Sequence, residues 1–251
     1  MDFIVSHKSD GIGTLTLRRG KVNALNGTVV DEMRDLLKTF ESDPEVRSIV
    51  LTGSGKFFSF GFDIPEFLSF TKKEFTEYVV NFTDLYRYIF LYPKPVVAAL
   101  NGHTIAGGCM LALACDHRVM VSGKAKMSLN EIGFGSSVFA GITEMLRFWV
   151  GSAKATKVLY SGAMYTAEQA MNMGLVHEAA AEDDLMHAAR NAASDFAAKS
   201  PPAFASIKSL LRRSVVEEMT RRERGSITEF VDIWYSKDTW ANLQTIKIFQ
   251  A

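Results

Sequence analysis

Residues 94–135, KPVVAALNGHTIAGGCMLALACDHRVMVSGKAKMSLNEIGFG, constrain the fold more than any other stretch of the chain. Residues 95–100 are a short apolar, β-branched run of the buried-strand type, followed by the turn signal Asn101-Gly102. Ala106-Gly107-Gly108 then leads into an apolar stretch of helix formers between Cys109 and Cys115. A strand, a glycine turn and a helix in such close succession point backbone N–H groups, not side chains, at whatever lies above the turn. The first N–H groups of a helix have no intrahelical partner and carry the positive end of its dipole, so they stabilise an oxygen that gains negative charge. Gly107 is the donor that this spacing singles out; close packing of strand on helix accounts for the glycine pair equally well.

Elsewhere the order of elements suggests a layered α/β fold. Residues 3–6 and 12–17, separated by Asp10-Gly11, read as a hairpin. Thr28 is placed to cap a helix through about Phe40, with apolar residues at Val29, Val30, Met33, Leu36, Leu37 and Phe40, and residues 48–52 read as a buried strand. Asp63 before Ile64-Pro65-Glu66 reads as an N-cap with proline in the first turn, and residues 73–91 as a long helix. Helical patterns over 152–160, 166–173 and 183–198 are punctuated by Gly151, Gly162 and Gly174. Pro201-Pro202 starts a helix to about Met219, and the tail holds one or two more. No tandem repeat or low-complexity linker is evident.

The 251 residues suffice for one large domain or two small ones with a substantial core. Lys+Arg 28 balances Asp+Glu 28, so the overall charge carries no footprint for nucleic acid or an anionic membrane surface. Cys109 and Cys115 lack metal-site spacing and are expected as reduced, buried, small apolar residues. No metal cluster, dinucleotide fingerprint or Walker-type phosphate loop is present. MDFIVSHKSDG has no apolar secretory core, no run of about 18 apolar residues occurs, and IKIFQA is not a peroxisomal address. The expected compartment is the cytoplasm.

The string NGHTIAGGCMLALACDHRVM, with SLNEIGFG after it, resembles the crotonase (enoyl-CoA hydratase/isomerase) superfamily, and within it most closely the Δ3,Δ2-enoyl-CoA isomerases. The similarity extends upstream through KVNALNG and GKFFSFGFDIPEF and downstream through SGAMYTAEQAMNMGLV, so it covers nearly all of the chain. It implies an α/β fold with a ββα spiral core over residues 1–195 and a C-terminal helical trimerisation segment over 196–251. It further implies a homotrimer or dimer of trimers acting on an acyl-CoA thioester, with no cofactor beyond that CoA, no metal, no nucleic acid and no membrane.

By the same resemblance Glu131 matches the single catalytic glutamate of the isomerases. A lone loop glutamate is more often a solvated carboxylate; the flanking motif reverses that. The backbone N–H groups of Gly107 and Phe62 match the oxyanion hole, where only the backbone is used. Val22, Ala24, Lys56, Phe60, Asp63 and Ile64 fall in segments that border CoA in relatives, although capping alone explains Asp63 and a solvated loop explains Lys56. Residues 67–92 match the region that lines the acyl pocket. His103 and His117 are read as structural.

Met110 and Phe139 separate the related activities. In hydratases of the superfamily the position after Gly-Gly-Cys is a second glutamate, and the two carboxylates hold the water that adds across the double bond. Met110 is a thioether that cannot exchange a proton, and Phe139 stands where hydratases carry a glycine. Both are expected to floor an apolar pocket that raises the basicity of Glu131. The expected reaction is transfer of a 3-enoyl-CoA double bond to the 2-position. Alternatives are hydration or another acyl-CoA lyase step, with a carboxylate such as Glu74 or Glu77 taking part. From a different class there is a non-catalytic CoA-thioester-binding or RNA-associated relative.

Overall fold

A computed structural model describes residues 3–246; the first two residues and, apart from Ile246, the IKIFQA terminus lie outside the described residues. β1 (Ile4–Ser9) and β2 (Ile12–Leu17) form the expected antiparallel hairpin. Asp10 and Gly11 turn it with φ of 54° and 76°. α1 (Gly27–Ser42) starts ahead of the expected cap: Asn26, not Thr28, accepts from the Val29 amide at 3.1 Å. Asn26 is additionally held by its own amide donating to Glu66 at 2.8 Å, which fixes it in capping position.

From β3 (Ser48–Gly53) onward the strands alternate between two sheets. β5 (Val96–Leu100), β7 (His117–Val121) and β9 (Glu178–Ala180) continue the first in the order β1-β2-β3-β5-β7-β9, parallel after the hairpin. β4 (Phe57–Ser59), β6 (His103–Ile105) and β8 (Met127–Ser128) form a second, parallel sheet. Each turn of the chain thus leaves one strand in each sheet, which makes a spiral. β4, β6, β8 and β9 are two or three residues long, too short for a period to register in sequence, and none of them is foreseen there.

α2 (Ile64–Phe67) follows β4, and α3 (Lys72–Leu91) opens with a capping box between Thr71 and Glu74. α4 (Gly107–Ala114) follows β6 and is buried at every position. α5 (Ala140–Ser161) is broken at Gly151 (φ 73°, ψ 164°), α6 (Ala167–Met173) is capped by Thr166, and α7 (Leu185–Ala197) packs across β2, β3, β5 and β7. With this cover β3 and β5 are buried throughout, which is why both read as unbroken apolar runs.

α8 (Pro201–Trp234) runs well past Met219, packs on α3 and α5, and is followed by α9 (Lys237–Leu243). Beyond Met219 its buried positions are Glu223, Ile227, Phe230, Val231 and Trp234. A glutamate within the buried stripe, in a run of charged residues that ends at Gly225, hides the helical period. Among the described residues no helix is long and apolar enough to cross a membrane.

Candidate active site

β6 enters α4 through Ala106 alone. Its φ of 48° and ψ of −119° are strained for a residue with a Cβ. Two hydrogen bonds hold it there, Ala106 N to the Ser128 carbonyl at 2.9 Å and Met110 N to the Ala106 carbonyl at 3.0 Å. Gly107 becomes the first residue of the helix, and among the described residues no backbone carbonyl accepts from its amide. The two glycines have separate tasks. A Cβ on Gly108 would lie 2.6 Å from the Ser59 carbonyl oxygen, so Gly108 permits the close packing of α4 on β4. Gly107 presents the N–H.

A second amide arrives from the segment after β4. Phe60 N donates to Val22 O at 2.9 Å, Leu25 N to Gly61 O at 2.7 Å and Asp63 N to Leu25 O at 3.0 Å. Bonds to Leu25 on either side of Phe62 leave the Phe62 amide facing the other way, and no backbone carbonyl among the described residues accepts from it. Gly61, which sequence reasoning missed, brings the two amides together. Its φ is 100°, and a Cβ there would lie 2.9 Å from the Gly107 nitrogen and 3.0 Å from the Ile105 carbonyl oxygen. Gly61→Ala is therefore expected to cost about 1–3 kcal/mol of stability and to lower kcat more than ten-fold by parting the amides. Thermal unfolding and steady-state kinetics check it; an alanine variant with wild-type kcat would mean that the amides do not act together.

Glu131 begins a single 3-10 turn, Glu131–Phe134, after β8. It is 4% exposed, and no other described residue hydrogen-bonds to either carboxylate oxygen. Burial pushes its carboxyl up to about 8, against a weaker downward pull from its own backbone amide. The side chain lines a cavity of about 210 Å³. Phe60, Phe62, Ile64, Gly107 and Met110 line the same cavity, so six of the sequence-predicted residues come together.

The other five do not line it. Asp63 is buried, caps α2 through the Glu66 amide at 3.2 Å and pairs with Arg19 at 2.6 Å, which commits it to the fold. Lys56 is exposed in the loop before β4, and Val22 and Ala24 lie on the segment that pairs with residues 60–63. Phe139 does not floor the cavity. It is fully buried behind it, its ring centroid 4.4 Å from Phe230 and 6.4 Å from Phe62.

No residue of 67–92 lines the cavity either. Phe67, Tyr78 and Phe82 instead pack edge-on against the Phe62 ring at 5.8, 5.1 and 4.9 Å, buttressing it from behind. Glu74 is spent in its capping box, and Glu77 is exposed, 3.9 Å from Lys73. Glu131 is thus the one carboxylate of the cavity among the described residues. His103 packs on Phe57 and His117 on His177, outside the lining. Phe230 and Trp234 from α8, and Ile246 after α9, add to the wall and were not singled out in sequence; for the first two, the extension of α8 is hidden there. Among the described residues no group of three His, Cys, Asp or Glu could hold a metal ion.

A family model described as enoyl-CoA hydratase/isomerase matches residues 7–244. The chain belongs to the enoyl-CoA hydratase/isomerase family. A probable enoyl-CoA hydratase of Bacillus subtilis (strain 168) is 33% identical to this family member, over 93% of this chain and 91% of the relative. The mitochondrial enoyl-CoA delta isomerase 1 of Mus musculus is 28% identical over 91% of this chain and 80% of its own length. The crystal structure of the human mitochondrial delta3-delta2-enoyl-CoA isomerase superposes with a TM-score of 0.89 at 21% identity, covering 97% of this chain and 96% of that one. The two-sheet spiral with its C-terminal helices is accordingly the crotonase fold, and the chain is an enzyme of this superfamily.

Proposed function

We propose that this enzyme is a Δ3,Δ2-enoyl-CoA isomerase. The observation that carries the proposal is a single buried carboxylate in an apolar cavity beside two unpartnered amides, with Met110 where a second acid would be needed to hold water. Ionised Glu131 removes a proton from C2 of a 3-enoyl-CoA thioester. The Gly107 and Phe62 amides hold the thioester oxygen as it becomes an enolate, a contribution of roughly 10²–10³-fold per donor. Neutral Glu131 then returns the proton to C4, and the double bond ends between C2 and C3. Val22, Ala24, Lys56, Phe60, Asp63 and Ile64 belong to the stretches proposed to border CoA; Phe60 and Ile64 supply side chains to the cavity. Homotrimeric or dimer-of-trimers assembly is part of the proposal, supported by the exposed Ile207, Leu210 and Leu211 on α8.

Hydration is the second reading, favoured by the name of the Bacillus relative. A spectrophotometric assay with trans-3-hexenoyl-CoA and crotonyl-CoA in parallel separates them. Conjugation of the first with little hydration of the second is the expected result. Rapid hydration of crotonyl-CoA would instead establish the second reading, and thioester binding without turnover the non-catalytic one. With the Glu131 carboxyl at about 8, about a tenth of the free enzyme is ionised at pH 7. The isomerase kcat/KM is therefore expected to rise about ten-fold per pH unit up to pH 8 and then to level off.

A further inference from the structure

Among the described residues Glu131 has no hydrogen bond to another residue that would aim its carboxylate, so its direction depends on the backbone of the turn that carries it. That turn is closed from within by Gly133 N to Asn130 O at 2.9 Å, Gly135 N to Ile132 O at 3.1 Å and Ser136 N to Glu131 O at 3.0 Å. α9 grips it from outside. The Thr239 hydroxyl donates to the Gly135 carbonyl at 2.7 Å, and the Asn242 amide donates to the Phe134 carbonyl at 3.2 Å.

Thr239 is only 3% exposed, and the Ser236 hydroxyl donates to its Oγ1 at 3.1 Å, leaving the Thr239 proton directed at Gly135. Gly135 adopts φ of 83° as the left-handed cap of the turn, so its carbonyl orientation and the turn's closure are one feature. α9 is itself pinned: Leu243 is fully buried, and the Tyr235 hydroxyl donates to the Phe70 carbonyl at 2.9 Å. Trp234 before α9 and Ile246 after it both line the cavity. Residues flanking this short helix on both sides thus line the cavity, and the helix itself bonds the turn that bears Glu131.

We propose that Thr239 is a positioning residue, whose hydroxyl, from α9, locks the Gly135 carbonyl and so holds the Glu131 carboxylate in line with the Gly107 and Phe62 amides. This rests on the reading of Glu131 as the base. The turn has no comparable brace in the cavity: apart from Glu131 the lining carries one polar side chain, Asn130, whose Oδ1 has no hydrogen-bond partner among the described residues.

Thr239→Val keeps the shape and loses the donor, whereas Thr239→Ser keeps the donor. For T239V, kcat is expected to fall at least ten-fold with KM within about two-fold, since a small misplacement of a reacting group is costly. The midpoint of its pH–kcat profile moves downward as the carboxyl loses its dry setting, and T239S stays within about two-fold of wild type. Hydrogen exchange at the Gly135 and Ser136 amides accelerates in T239V and not in T239S. A folded T239V with kcat within two-fold of wild type, or T239S falling as far as T239V, overturns the proposal; so does unchanged exchange. Should T239V not fold, Asn242→Ala, at an exposed position, is expected to lower kcat about three-fold and to speed the same exchange, and its failure on both counts is equally decisive. A wild-type protein that isomerises nothing refutes the functional reading instead, and the exchange data then judge the clamp alone.

Discussion

Glu131→Gln is expected to lower the isomerisation rate by about 10²–10⁴-fold, the usual worth of a positioned general base, while leaving thioester binding intact. The amide matches the carboxylate in size and cannot take the C2 proton. The substitution carries a second signature in stability. Burial raises the Glu131 carboxyl from 4.5 to about 8, so the folded state holds a proton that the unfolded chain releases near 4.5. Stability from this proton is fully present below pH 4.5 and is lost as pH rises through 8. Glutamine has no such dependence. E131Q is therefore expected to gain on wild type steadily between about pH 5 and pH 8 and then to level off, by on the order of a few kcal/mol at the alkaline end. Urea unfolding of both proteins across that range tests it. A rate within ten-fold of wild type would remove Glu131 from the chemistry, and a pH-independent stability difference would show that the carboxyl is not held dry.

Asp116→Asn is expected to be the most destabilising single change of charge, at about 3–5 kcal/mol. Asp116 lies just before β7, with 8% of its side chain exposed, and accepts from Lys208 at 2.7 Å and Arg212 at 3.0 Å, both on α8. It also accepts from the Val96 amide at 2.7 Å. Those cations are still more buried, at 4% and 6%, and fully buried Arg118 stands close by, its guanidinium 4.1 Å from the Trp149 ring centroid. Burial lowers the pKa of Lys208 and of Arg212, and Asp116 opposes the shift in each. Without the anion, α8 must keep two cations in an apolar wall or pull away from the sheet. Since Phe230 and Trp234 belong to the same helix, the cavity is expected to loosen as well. Adding Lys208→Met to Asp116→Asn should restore part of the loss by removing one unpaired charge. A loss below about 1 kcal/mol for D116N would mean that water reaches the cluster.

Local signals were enough for much of the spiral. Two unbroken apolar runs marked β3 and β5, turn residues marked the first hairpin, and Pro201-Pro202 marked the start of α8. Glycine spacing after β5 singled out the Gly107 amide, and the motif around Glu131 singled out its carboxylate; both residues line the cavity. These features are encoded between near neighbours, where propensity, capping and helix polarity operate.

What folding alone decided lies between distant residues. Gly61 meets Gly107 across 46 positions, through a contact whose only requirement is the absence of a Cβ. Phe139 moved from the cavity floor to the layer behind it because Phe230, from α8, occupies the space in front. Thr239 reaches Gly135 across 104 positions. The raised carboxyl of Glu131 likewise follows from burial by at least three elements, not from its neighbours in the chain. A sequence states which groups are available; exclusion of water and the approach of backbones depend on the complete packing, so the site's electrostatics and its C-terminal wall became legible only in three dimensions.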